Sequence, residues 1–193
     1  QDRVDLNALL NQATGFLDGE MKRLGVECVR DTEGSLFVLG DKDLLYRAVY
    51  NILVNAYQAI GTNGTIHIRG KRRDDGMIAL SFHDSGPGFP PALLHKLLDP
   101  FFTTKDHGTG LGLPIVNTII TSHNGKLLLT NPEEGGAMIT ILLPVASEPD
   151  IGDTPEKDER PAASADDEPV TLTDPLPSEK HDLREGDASP QTR

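Results

Sequence analysis

The chain has 193 residues, room for one ordinary domain, with 37% apolar residues and a net charge of −12. Residues 147–193 hold fourteen Asp and Glu against five Lys and Arg, so they carry −9 of that total, together with seven of the fourteen prolines. This balance argues against nucleic-acid binding, and no run approaches the roughly eighteen consecutive apolar residues that direct membrane contact by a spanning helix would need.

In chain order, residues 6–24 are predicted as a helix capped by Asp5, with a stripe of Leu6, Leu9, Leu10, Ala13, Phe16, Leu17 and Leu24. Short strands are expected at 26–30 and 35–39, separated by a DTEG turn. Residues 41–60 give the strongest helix: Asp41 caps it, and Leu44, Leu45, Ala48, Val49, Ile52, Leu53 and Ala56 form one apolar face. Strands at 65–72 and 77–83 form a hairpin around RDDG, and a short helix opens at Pro90 or Pro91 and runs to Leu98. Residues 99–109 are a loop, 110–122 a helix, and 126–131 with 137–143 a closing hairpin around NPEEGG. This succession implies an α+β fold, a two-layer sandwich of one sheet and one helical layer over residues 1–146. Residues 147–193 have too few apolar side chains to offset the entropy of ordering and are expected to be a disordered acidic tail. The single Cys28 cannot form an internal disulfide, which suits a reducing cytoplasm, and its apolar-polar surroundings mark a strand residue and not a nucleophile.

Three segments carry polar chemistry. In NILVNA, Asn51 and Asn55 stand four apart and project from one side of a helix. Amide oxygens are hard neutral ligands suited to Mg²⁺, and Asn is a poor helix former that needs a reason to occupy a helix centre. In DSGPG, Asp84 ends an apolar strand, where a carboxylate can accept from an exocyclic amine such as that of adenine, while Gly86 and Gly88 let backbone approach a flat ring. In GTGLGLPIV, Gly108, Gly110 and Gly112 precede an apolar helix whose free N–H groups suit phosphate. Neither the GxxxxGK[ST] loop nor GxGxxG spacing is present, which excludes a P-loop or Rossmann reading. Upstream, PFFTTKDH supplies Thr103, Thr104, Lys105 and His107 on an expected lid, and Lys105 can meet a terminal phosphate. Each segment alone has a plainer reading: two Asn facing water, a tight turn, a solvated lysine.

Their order and spacing together resemble the ATP-binding catalytic domain of sensor histidine kinases, within the superfamily of gyrase, heat-shock chaperone and mismatch-repair ATPases. The likeness covers about residues 2–144: NILVNAYQAI resembles the N box, DSGPGF the first glycine box, PFFTTK the F box and GTGLGLPIV the second glycine box. It implies a Bergerat-type fold, a mixed and largely antiparallel sheet backed by helices, with ATP and Mg²⁺ under a lid. It also implies Asn55 as metal ligand, Asn51 as its polar neighbour near the phosphates, and Asp84 as adenine contact. Gly86 and Gly88 would form the base-side turn, and Gly108, Thr109, Gly110, Leu111 and Gly112 the phosphate-side loop. At the third and fourth positions after Asn55, Gln58 and Ala59 replace the lysine and aromatic residue often found in the family, which shifts phosphate contact to Lys105. Related hydrolysing ATPases carry a glutamate at the place of Asn51; an amide cannot act as general base, so transfer and not hydrolysis is expected, with Asn51 and Lys105 as the catalytic pair.

None of His67, His83, His95, His107, His123 or His181 lies in an acceptor-like HExxNP context. The resemblance therefore implies a phosphoacceptor and dimerisation domain on the N-terminal side of this segment, with a response regulator downstream. Two alternatives remain at this point: a serine/threonine kinase of the anti-sigma-factor type, and a nucleotide-sensing interaction module without phosphotransfer.

Overall fold

A computed structural model describes residues 2–100 and 111–146. The elements are β1 (Asp2–Asp5), α1 (Leu6–Arg23), β2 (Val26–Thr32), β3 (Phe37–Gly40), α2 (Lys42–Ile60), β4 (Gly64–Arg72), β5 (Met77–Asp84), a 3-10 helix (Pro91–Lys96), α3 (Gly112–Ser122), β6 (Lys126–Thr130) and β7 (Ala137–Pro144). The expected acidic tail at 147–193, the expected lid with Thr103, Thr104, Lys105 and His107, and Gly108, Thr109 and Gly110 of the expected phosphate-side loop lie outside the described residues.

The main sheet runs β2-β4-β5-β7-β6. β2 and β4 are parallel, and the remaining pairs are antiparallel. Side chains alternate across the pleat, so β7 buries Ala137, Ile139, Ile141 and Leu143 on one face and leaves Met138, Thr140 and Leu142 half-exposed on the other. The inner face, with Ile66, Ile68, Ile78, Leu80 and Phe82, is buried against the apolar stripes of the helices. On α2 that stripe is Leu45, Ala48, Val49, Ile52, Leu53 and Ala56, the spacing of one helical face. The result is a layer of helices on a mixed sheet, as the alternating patterns imply.

Both predicted helix caps are present. The Asp5 carboxylate accepts from the Asn7 N–H at 2.8 Å. The Asp41 carboxylate accepts from the N–H groups of Asp43 and Leu44 at 2.9 and 3.0 Å, satisfying two donors that a helix start leaves free. The Asp41 N–H itself donates to His123 Nε2 at 2.9 Å, while the other ring nitrogen meets the Ile119 carbonyl at 2.7 Å. A carbonyl only accepts, so the proton sits on Nδ1, and the buried imidazole ties the start of α2 to the end of α3.

Four features differ from the sequence expectation. Phe16, assigned to the apolar stripe, is 72% exposed, with its ring in a T-shaped pair with Tyr50, while Met21 is buried. Leu44 is likewise exposed, at the outer margin of α2. Residues 2–5 form a strand that pairs with β3 in a separate two-stranded ribbon, so β2 and β3 are chain neighbours without being partners. β2 instead joins β4 in parallel, and the crossover between them contains α2, the kind of long connection that parallel strands require. Finally, the short helix after Pro90 is a 3-10 segment. Cys28 stands in β2 as expected, and burial pushes its thiol up, away from the reactive thiolate. Among the described residues, no helix is long and apolar enough to cross a membrane.

Candidate nucleotide site

The site is built along one side of α2. Asn51, Asn55 and Ala59 follow one another at intervals of four, so they line a single edge beside the buried stripe, and all three are half-buried. Two glycine segments rest on this edge. At Gly86, a Cβ would lie 3.3 Å from the Ala59 carbonyl oxygen and 2.8 Å from Asp84 Oδ1. At Gly112, a Cβ would lie 3.1 Å from Asn55 Nδ2 and 3.5 Å from its Oδ1. Each glycine segment thus lies against α2 where a side chain would crowd it, Gly112 at the Asn55 amide and Gly86 at the Ala59 backbone and the Asp84 carboxylate.

Asp84 closes β5 and is 5% exposed. Its Oδ1 accepts from the Gly86 N–H at 2.9 Å, bending the chain into the turn, and from the Ala137 N–H at 3.4 Å. A buried carboxylate held by backbone donors on a strand end has a fixed orientation. Gly88 adopts a left-handed φ of +79°, which a side chain rarely tolerates. Leu111 is the N-cap of α3 with no side-chain cap, and Gly112 is the first helical residue. The positive end of that helix therefore opens beside Asn55.

Among the described residues, no group of three or more His, Cys, Asp or Glu is assembled to hold a metal ion. The donor set at this site is different in kind: neutral amide oxygens next to a helix start, which fits a hard cation that keeps waters and takes its remaining oxygens from phosphates.

Sequence reasoning overlooked Asn131, in the turn between β6 and β7. Its Oδ1 accepts from the Phe89 N–H at 2.8 Å, and its Nδ2 donates to the Phe89 carbonyl at 2.7 Å, so one side chain grips both polar groups of a residue that follows Gly88. It also missed Gly136, where φ is +77° and a Cβ would overlap the Asp84 carbonyl oxygen. The NPEEGG stretch reads as turn chemistry, and nothing in the linear pattern says that the turn reaches back to residues 84–89.

The sequence profile of the family described as "Histidine kinase-, DNA gyrase B-, and HSP90-like ATPase" matches residues 40–147, a span that contains α2, the Asp84 turn and the start of α3. The chain belongs to this family. Within it, the chain is similar to the signal transduction histidine-protein kinase AtoS of Escherichia coli K12, at 35% identity over 74% of this chain and 24% of AtoS. It is also similar to the sensor histidine kinase ZraS of Salmonella typhimurium, at 40% identity over 74% of this chain and 31% of ZraS. The chain therefore spans about a quarter to a third of the length of these curated relatives. The catalytic domain of the histidine kinase ThkA superposes with a TM-score of 0.69 at 30% identity, over 75% of this chain and 97% of that domain. ThkA in complex with the response regulator protein TrrA gives 0.66 at 28% identity, over 75% of this chain and 42% of that one. The mixed sheet with helices is the Bergerat-type fold of a histidine-kinase ATP-binding catalytic domain.

Proposed function

We propose that this domain binds Mg-ATP and presents the γ-phosphate to a histidine on a dimerisation domain of its parent protein, which then passes it to a response regulator. The observation that carries this reading is the shared edge of α2, on which Asn55 meets Gly112 while Ala59 meets Gly86 beside Asp84. On that edge Asp84 takes the adenine amine, with Gly86 and Gly88 against the base. Asn55 ligates the metal with Asn51 beside it, and Leu111 and Gly112 offer N–H groups to the phosphates. Thr103, Thr104 and Lys105 of the expected lid, with Gly108, Thr109 and Gly110 of the phosphate-side loop, would complete the phosphate side. The metal, when bound, neutralises phosphate charge; the chain's own contribution is positioning and charge stabilisation, which are the main catalytic terms in phosphoryl transfer. No carboxylate stands at position 51 to activate water, so hydrolysis is slow relative to transfer. The lone half-buried Cys28 fits a cytoplasmic setting, and residues 147–193 fit a solvated acidic tail outside the 1–146 domain.

The test is to mix the chain with labelled ATP, Mg²⁺ and the phosphoacceptor domain of its parent, then examine the labelled product. Phosphate on that domain that is lost in acid and kept in alkali is the expected result. Acid-stable, alkali-labile phosphate would indicate a serine/threonine kinase, and tight ATP binding without transfer would indicate a nucleotide-sensing module.

A further inference from the structure

We infer that Asn131, in the turn between β6 and β7, is a positioning residue for the base side of the nucleotide site. This rests on the reading of Asp84 and its turn as the adenine contact. The stretch Ser85–Pro90 contains two prolines and so has few backbone donors with which to fix itself. Ser85 N–H donates to the Thr65 carbonyl at 3.0 Å and Gly86 N–H to Asp84, which anchors only the start of the turn. The far end is held by the Asn131 amide, which accepts from Phe89 N–H and donates to Phe89 C=O, the two bonds a neighbouring strand would otherwise make.

The same turn and the first residue of β7 make four more contacts at this end of the site. A Cβ on Gly88 would lie 3.1 Å from Asn131 Oδ1, so the amide fills the space that glycine leaves. Gly136 packs on the Asp84 carbonyl, and Ala137 N–H reaches Asp84 Oδ1 at 3.4 Å. His83 Nε2 donates to the Gly135 carbonyl at 2.8 Å, fastening the turn to the strand that carries Asp84. Asn131 thereby fixes the Gly88–Phe89 peptide relative to the Asp84 carboxylate, and the distance between those groups is what a flat base would read. Pro132 follows directly, which disfavours helical backbone at Asn131, while the two bonds to Phe89 orient its side chain.

The experiment compares ATP and ADP affinities of the 193-residue chain by calorimetry, for wild type, Asn131→Ala, Asn131→Asp and Asp84→Asn, with thermal unfolding of each. Asn131→Ala is expected to weaken both nucleotides by the same factor, about ten-fold, the ratio expected when a two-point amide clasp is lost. Asn131→Asp, which keeps the acceptor for Phe89 N–H, is expected to recover part of that loss; if the alanine variant does not fold, the aspartate variant carries the comparison. A merely structural role would lower the unfolding temperature and leave the affinity of the folded protein unchanged. Wild-type affinity in Asn131→Ala, with binding lost in Asp84→Asn, overturns the role of Asn131 alone. Unchanged binding in Asp84→Asn overturns the adenine assignment and the Asn131 role with it.

Discussion

What surrounds Asn55 is the reason to propose it as a metal ligand and not as an ordinary polar helix residue. Its amide lies against Gly112 at the positive end of α3, so an anion drawn there brings a cation within its reach. Asn55→Ala is expected to weaken ATP binding in Mg²⁺ about ten-fold or more, the cost of losing a polar contact to a charged group. Binding in EDTA should change little, and equal losses in both conditions, read by calorimetry, would remove Asn55 from the metal. The amide pair was legible in the sequence because two Asn spaced by four conflict with the helix propensity around them. Asp84 was legible because it interrupts an apolar strand at a glycine turn. Asn131 was not: an Asn-Pro pair between two strands has a sufficient local explanation, and only the tertiary contact at Phe89 adds a second one.

Among the elements, α2 does the most to place the site. One edge receives both glycine segments, while the adjoining stripe is sealed into the core by Ile52, Leu53 and Ala48, each essentially without solvent exposure. Its start is fixed by the Asp41 side chain and by His123. Asp41→Ala removes the cap and keeps the backbone N–H to His123, so a loss of about 1 kcal/mol is expected. A shift in the urea midpoint with unchanged slope would show it; no shift would mean that the cap adds nothing beyond the tertiary contacts. Helices α1 and α2 were readable because their periodic stripes and Asp caps agree. Strand pairing was not, because alternation marks β2 and β3 as strands without saying which neighbours they choose. The exposed Phe16 shows the same limit: helical spacing puts it at the margin of the stripe, and only the packed neighbours decide whether that margin is covered.

At the scale of the whole molecule, a five-stranded sheet holds the Asp84 turn from one side and the helical layer holds the amides and the α3 start from the other. The Asp84 turn meets α2 at Ala59 and the start of α3 meets it at Asn55, so segments far apart in the chain share one helix edge. The central claim is that these segments form one magnesium-nucleotide site. Titrating the ¹⁵N-labelled chain with Mg-ATP and following the amides of Asn51, Asn55, Gly86, Gly88 and Gly112 tests it most directly. The account predicts that all of them shift together and saturate with a single dissociation constant. Shifts confined to one segment, different constants for different segments, or no response to millimolar nucleotide would contradict it.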